Sequence, residues 1–224
     1  LFLAREPAAR YTRAPSGEAL PLRTRLRSSL APLRHRGIQL IILASVVAAG
    51  GRGIGILTTY LPLYLQTDLR LAPDLVAGLF TLLLIGSVVG PLAAGRLSDR
   101  LGRLPMLLLS YGFAALFTVV LPLVGYNFGL PGLIVMMVLI GLGAYAEGPL
   151  LQAYLSDNVS ASEKDGAFGW YFTLAFGFGS LWGTLLGKII DSTSFGVAFW
   201  VMAGSYLLAA AILLRVPRER SSSQ

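Results

Sequence analysis

Long apolar runs separated by short polar turns make up most of this 224-residue chain. Six windows are long enough to read as bilayer-crossing helices: Ile38–Gln66, Leu75–Leu97, Leu104–Gly125, Leu130–Leu155, Ala167–Ile189 and Phe195–Val216. A helix crossing ~30 Å of hydrocarbon needs ~20 mostly apolar residues. A single run of this kind could be a buried helix of a soluble protein. Six in succession leave no polar face for water, so the pattern predicts an all-α polytopic membrane protein. It divides the chain into a cytoplasmic Arg-rich leader over 1–37, a six-helix transmembrane domain over 38–216 and a cytoplasmic tail over 217–224.

Composition agrees. The chain is 55% hydrophobic and 13% charged, with mean hydropathy +0.70, outside the soluble globular range. With no cysteine, disulfides, thiolate chemistry and Cys-based metal sites are excluded. A net charge of +7 would point to nucleic acid in a soluble protein, but its placement argues against that. With the flanks assigned to alternate sides, fifteen of the eighteen basic residues fall on the side of the leader. Only Arg70 and Lys188 fall on the other, and Arg52 lies within a span. This positive-inside bias puts both termini in the cytosol. Sixteen of the eighteen are Arg, a usage that suggests a bacterial protein and hence the inner (plasma) membrane.

Leu22, Leu26, Leu30 and Leu33 recur in the leader at helical spacing among arginines. Two readings stand: an in-plane amphipathic helix on anionic lipid headgroups, or a basic linker broken by Pro15, Gly17 and Pro21. Leu1-Phe2-Leu3-Ala4 reads as the end of an earlier apolar segment.

Shifting the second window by 92 residues lays Phe80-Thr81-Leu82 on Phe172-Thr173-Leu174, and Gly95, Arg96 and Asp99 on Gly187, Lys188 and Asp191. The first copy ends a span on the cytosolic side and the second ends one outside. Matching segments of opposite orientation are what a 3+3 inverted repeat predicts. Both spans carry glycines four apart: Gly86, Gly90 (then Pro91) and Gly95 in one, Gly179, Gly183 and Gly187 in the other. Such rows let helix backbones approach closely.

Two ionisable residues lie well inside spans, Arg52 in the first and Glu147 in the fourth. Each costs about 2.5–3.5 kcal/mol at a helix centre on insertion scales, so each demands a partner or an aqueous cavity. The repeat makes their spans equivalents. Gly51 and Gly53 flank the first charge, and Gly148-Pro149 follow the second, so both helices are expected to bend or unwind there. Thr58, Tyr60, Tyr145 and Gln152 are further candidate substrate contacts on these spans. One reading makes Arg52 and Glu147 an ion pair that fixes helix register. The other makes Glu147 the empty-state partner of Arg52, displaced by substrate or by its own protonation. The indole N–H of Trp182, deep in its span, also wants a partner.

The turn after the second span reads Gly95-Arg96-Leu97-Ser98-Asp99-Arg100-Leu101-Gly102-Arg103. It resembles the Gly-x-x-x-Asp-Arg/Lys-x-Gly-Arg signature of the major facilitator superfamily, with Leu104-Pro105 where a further basic residue usually follows. The resemblance implies that residues 38–216 are the C-terminal six-helix half of a secondary transporter, completed by an N-terminal six-helix half. The texture of Tyr60–Tyr64 and Gln152–Asp157 is most like bacterial efflux-type members. It further implies alternating-access movement of a small solute, as a proton-coupled antiporter. Asp99 would be a cytoplasmic latch toward the other half, unpaired here, while Arg100 and Arg103 reach lipid phosphates. The glycine rows would form the seam between halves, and the missing half would supply the Trp182 partner. An enzyme is not expected: His35 is the only His, and no catalytic, nucleotide-binding, cofactor or metal motif is present. The rival class is a non-transporting receptor or assembly subunit of the same fold, marked by a dry Arg52–Glu147 pair without a cavity.

Overall fold

A computed structural model describes residues 29–217; most of the expected leader, and the tail beyond Pro217, lie outside the described residues. After a 3-10 turn at Ala31–Arg34, six segments long and apolar enough to cross a membrane follow one another. The first is composite: α1 (Arg36–Ala48), a 3-10 turn (Ala49–Gly51), a widened π turn (Gly53–Leu57) and α2 (Thr58–Thr67). The second and third are α3 (Pro73–Leu101) and α4 (Arg103–Asn127). The fourth is broken into α5 (Gly129–Ala144) and α6 (Glu147–Asn158). The fifth and sixth are α7 (Lys164–Ser192) and α8 (Phe195–Leu213).

The local reasons for these boundaries are legible. At the first break Arg52 alone takes extended backbone (φ −53°, ψ 132°). The Leu57 amide reaches back five residues to the Arg52 carbonyl at 3.2 Å, the bond that defines a π turn. Gly55 adopts φ +99°, which side-chain-bearing residues resist. In the fourth segment the break falls at Tyr145 and Ala146, and Glu147 opens α6. Pro149 therefore starts a helix and does not weaken one: it sits in the first turn, where its missing amide donor would have had no partner. Gly102 alone joins α3 to α4 at φ +94°, ψ 152°, a region that is essentially Gly-only. This is the physical reason for a glycine at that point of the signature.

Packing obeys the repeat. The second segment lies on the fourth as the fifth lies on the first; the third lies on the fourth as the sixth lies on the first; the third and sixth pack on each other. Exchanging the two triplets maps this set of neighbours onto itself, as an inverted 3+3 arrangement requires. The core runs between these helices through Ile41, Leu57, Leu61, Tyr64, Leu107, Tyr111, Met137, Leu151, Phe199 and Tyr206, each fully enclosed.

Within the bundle, the glycines Gly86 and Gly90 face the fourth segment. A Cβ on Gly86 would lie 2.9 Å from the Val138 carbonyl and 3.0 Å from the Gly141 Cα. One on Gly90 would collide with the Leu142 backbone. Across the repeat, a Cβ added to Gly179 would meet the Ala49 Cβ at 3.7 Å, one on Gly183 would meet Ile56 at 4.0 Å and one on Gly187 would lie 3.1 Å from the Tyr60 hydroxyl. Gly86 and Gly90 thus let α3 press against the broken helix beside it, an approach that the second row does not require. Gly95 faces open space. The outward faces of α3 and α7 are large and apolar instead: Ile85, Val88 and Leu92 on one, Phe178, Leu181 and Leu185 on the other. These two are the least buried of the six segments.

Candidate functional site

The two breaks face each other, and the charges they carry meet. Arg52 donates from Nη2 to Glu147 Oε1 at 3.0 Å and from Nε to the same oxygen at 3.3 Å. Nη2 also reaches the Ser45 carbonyl at 2.9 Å and the Ser45 hydroxyl at 2.7 Å. Nη1 donates to the Ala175 carbonyl at 3.4 Å, and the guanidinium carbon sits 5.2 Å from the Phe176 ring centroid. The site therefore draws on α1, α6 and α7. Arg52 is 9% and Glu147 1% exposed. A pair this enclosed is weakly screened, and desolvating both charges is tolerable only because the guanidinium donors are so fully met.

Glycine geometry holds the pair in place. The Tyr206 hydroxyl of α8 donates to the Gly51 carbonyl, and the Tyr206 ring fills the space a Gly51 side chain would need. The Trp182 ring packs in the same way on Gly50. The Trp182 indole donates to the Val46 carbonyl at 3.2 Å, so its partner lies within this bundle and no other half is needed to supply it. On the α7 side Arg52, but not Glu147, lines a cavity of about 260 Å³ together with Ala49, Ile56, Phe176, Gly179 and Ser180, among others.

The remaining candidates spread out from this centre. Thr58 Oγ1 accepts from the Gly55 amide at 2.9 Å, and the Tyr60 hydroxyl donates to the Gly183 carbonyl at 2.6 Å. Both hydroxyls thus brace the first break. The Tyr145 hydroxyl is buried at the second break without a hydrogen bond. Gln152 is half-buried farther along α6. Gly53 opens the π turn, and Gly148 and Pro149 lie in the first turn of α6. Pro91 lies within α3, beside Gly90.

At the Gly95–Arg103 turn Arg103 is the hub. It pairs with Asp99 at 2.6 Å and, across to the end of α6, with Asp157 at 2.9 Å. It also bonds the Ser98 hydroxyl. Asp99 is thus not unpaired as expected, although it stays 61% exposed. Arg100 is exposed. Nearby, the Ser160 hydroxyl donates to Glu163 Oε2 at 2.7 Å. That bond, and less strongly His35, holds the Glu163 carboxyl below the usual range. Among the described residues no three His, Asp or Glu converge as a metal site would need.

Sequence reasoning missed Ser45, Tyr206, Phe176 and Asp157. Ser45 carries a signal, since it sits seven residues before Arg52 in the sequence, the spacing of two turns in an unbroken helix. Tyr206 and Phe176 carry none, because their roles arise from tertiary contact alone.

Six membrane-length helices in two mirrored triplets, with a cation and an acid meeting where both broken helices open, define a polytopic helical membrane protein of the inverted-repeat carrier type. Residues 2–224 match the family model of the Major Facilitator Superfamily, and the chain belongs to that family. Its members are membrane transporters of small molecules and not enzymes.

Proposed function

We propose that this chain forms one six-helix half of a proton-coupled exporter, working by alternating access with a second six-helix bundle seated on the outer faces of α3 and α7. The observation that carries this reading is the Arg52–Glu147 pair, set at two mirrored helix breaks, with its Arg52 end on a cavity. Arg stays charged throughout a transport cycle, so it needs a negative partner in every state. Glu147 serves when the site is empty. A solute with an anionic or hydrogen-bond-accepting group, entering beside Phe176 and Ser180, replaces that contact once Glu147 takes up a proton. Occupancy is thereby tied to charge. Tyr145 and Gln152 extend the solute's surroundings, and Thr58 and Tyr60 keep the break in shape.

In this reading the chain sits in a bacterial inner membrane with both ends in the cytosol. Arg100 and the basic leader rest on anionic headgroups, and the Arg103 cluster helps close the cytosolic side. A non-transporting protein of this fold would have its pair sealed on every side, and the cavity against Arg52 favours transport. The test is solute flux in proteoliposomes containing the complete gene product, with and without a pH gradient. Glu147→Gln should abolish the gradient's effect on accumulation. Unchanged flux with unchanged pH dependence would refute the coupling.

A further inference from the structure

The hairpin of α3 and α4 does not close on itself. A cavity of about 250 Å³ lies between the two helices, walled by Ala93, Ala94 and Leu97 of α3 and by Met106, Leu109 and Phe113 of α4. Its floor is the fourth segment where that helix breaks, at Leu142, Gly143 and Ala146. At its inner end the helices close up: a Cβ on Gly90 would collide with the Leu142 backbone, and the Phe113 ring fills the space a Gly143 side chain would need. In hydrocarbon a broken helix must satisfy its freed backbone groups within the protein. Here the Ser110 hydroxyl donates to the Gly143 carbonyl at 3.0 Å, and the Ala146 amide donates to the same oxygen at 3.3 Å. Among the described lining residues Ser110 alone carries a polar side chain, and its hydroxyl is committed to that bond. The groove therefore has room but few polar partners to offer, which suits hydrocarbon better than water or a polar solute.

Charge stands at the other end. Ala93 and Arg100 are seven residues apart on the continuous helix α3, so they share a helix face. Arg100 lies about 4–5 Å beyond Leu97 along the axis, and the groove runs about 10 Å the opposite way, from Leu97 to Gly90. Arg100 is exposed and enters no ion pair or hydrogen bond among the described residues. On the α4 side Leu109 forms the lip, and it begins an exposed apolar row that continues through Leu116 and Leu123 at seven-residue steps. The groove thus opens beside a lipid-like surface. Its α3 wall is a different helix face from that of Ile85, Val88 and Leu92, where the second bundle was placed.

We propose that this groove is a phospholipid site, in which one acyl chain of an anionic lipid lies between α3 and α4 while its phosphate meets the Arg100 guanidinium. The dimensions agree: about 10 Å of groove takes the headgroup-proximal part of a chain in a hydrocarbon core ~30 Å thick. Guanidinium and phosphate are matched in charge and in hydrogen-bonding geometry. Within a bilayer there is no hydrophobic drive to fill the groove, so the chain contributes packing and Arg100 sets the preference among lipids. The chain rests on Ala146, the residue before Glu147, and so fills the space behind the break that carries the acid. This deepens the headgroup contact proposed above for Arg100 and rests on it for the phosphate alone; the groove does not depend on transport.

The test is native mass spectrometry of the complete protein released from detergent micelles, titrated with phosphatidylglycerol or with phosphatidylcholine. The expected result is one phosphatidylglycerol held more tightly than the rest, with phosphatidylcholine about fivefold weaker, the effect of one arginine on an anionic lipid. Arg100→Gln should erase that preference and leave the weaker binding common to both lipids. Ala93→Trp, at an exposed position, puts a ring into the groove and should remove the tight lipid altogether. Leu116→Trp, on the exposed row outside the groove, should keep it. If Ala93→Trp fails to fold, Ala93→Leu decides in the same titration. No lipid held above the general background, or equal retention by wild type and the groove variant, overturns the proposal. A preference lost in Arg100→Gln but untouched by filling the groove leaves a headgroup contact alone, which overturns the acyl-chain site. A dimer that disappears on filling the groove gives the groove to a second copy of the chain and overturns it too. The readout is bound mass and not flux, so the coupling role of Glu147 can fail while the lipid site stands, and the reverse.

Discussion

Removing one member of the Arg52–Glu147 pair should cost far more stability than removing both. Glu147→Leu deletes the acceptor of two charge-assisted bonds, at 3.0 and 3.3 Å. The guanidinium, 9% exposed, is then left with only the neutral acceptors Ser45 and Ala175. Charge-assisted bonds are worth about 1.5–3 kcal/mol each, and breaking a buried pair from one side costs about 3–5 kcal/mol. Arg52→Met should be at least as damaging, because a carboxylate that is 1% exposed would keep no partner on either oxygen. In a domain of this size about 1 kcal/mol moves a thermal midpoint by about 2–4 °C, so each single variant should lose roughly 6–20 °C in detergent or bicelles. The double variant Arg52→Met/Glu147→Leu removes both uncompensated charges, and such replacements are often neutral or stabilising. It should therefore melt above either single variant while carrying no solute. Additive losses in the double variant would refute the claim that the two side chains are energetically coupled. Recovery of transport together with stability would show that the pair serves only to hold the fold.

Backbone geometry gives a second set of expectations, read by the same melting assay. Gly102→Ala forces a Cβ into φ +94° and should cost about 1–3 kcal/mol. Gly90→Ala drives a methyl into the Leu142 backbone and should lower the midpoint clearly. Gly95→Ala in the same helix meets open space and should leave the midpoint unchanged or raise it, since Ala is the better helix former by up to about 1 kcal/mol; equal effects at positions 90 and 95 would contradict the close α3–α5 approach. In the turn between the fourth and fifth segments the Glu163 carboxyl is held low, first by Ser160. A lowered folded-state value gives stabilisation that is present above the ordinary carboxylate range and is lost as pH falls through the lowered value. Ser160→Ala should therefore melt slightly below wild type at neutral pH and together with it in strong acid; a gap that persists in acid would assign the effect to something other than this carboxylate.

Much of the fold was legible because membrane helices announce themselves by length and apolarity, and a bilayer leaves the backbone few alternatives. Five of the six windows fall within the observed segments, and the sixth, Phe195–Val216, overruns a helix that ends at Leu213. The pairing of Arg52 with Glu147 was foreshadowed by the cost of isolated charge in hydrocarbon, although no spacing rule could say that they touch. The consequences of the glycines were harder to read. Gly86 and Gly90 on one helix do not reveal which neighbour they admit; that depends on where Gly141 and Leu142 sit on another, 55 and 52 residues further on respectively. Pro149 was misread for a related reason: a proline inside an apolar run signals a break, but only the position of the break decides whether the proline ends one helix or begins the next. Asp157 sat in plain view at the end of a span, yet its meeting with Arg103 depends on how far α6 extends past the bilayer.

The inverted repeat explains why the two intramembrane charges have opposite sign. Equivalent segments of an inverted pair approach each other near the pseudo-dyad, so a residue near that axis in one triplet faces its counterpart in the other. Two cations or two acids there would repel in a low-dielectric interior. Two apolar residues would pack, but would give a solute or a proton nothing to act on. Divergence to Arg52 on one copy and Glu147 on the other keeps the centre neutral while making each charge depend on its mate. The breaks serve the same end from the backbone side. At the first, a single extended residue lets the guanidinium chain meet carbonyls from both α1 and α7; at the second, the carboxylate opens a new helix and meets the guanidinium there. Removing that carboxylate therefore breaks the one ion pair that ties the two broken helices together, at the point where the two triplets hold on to each other.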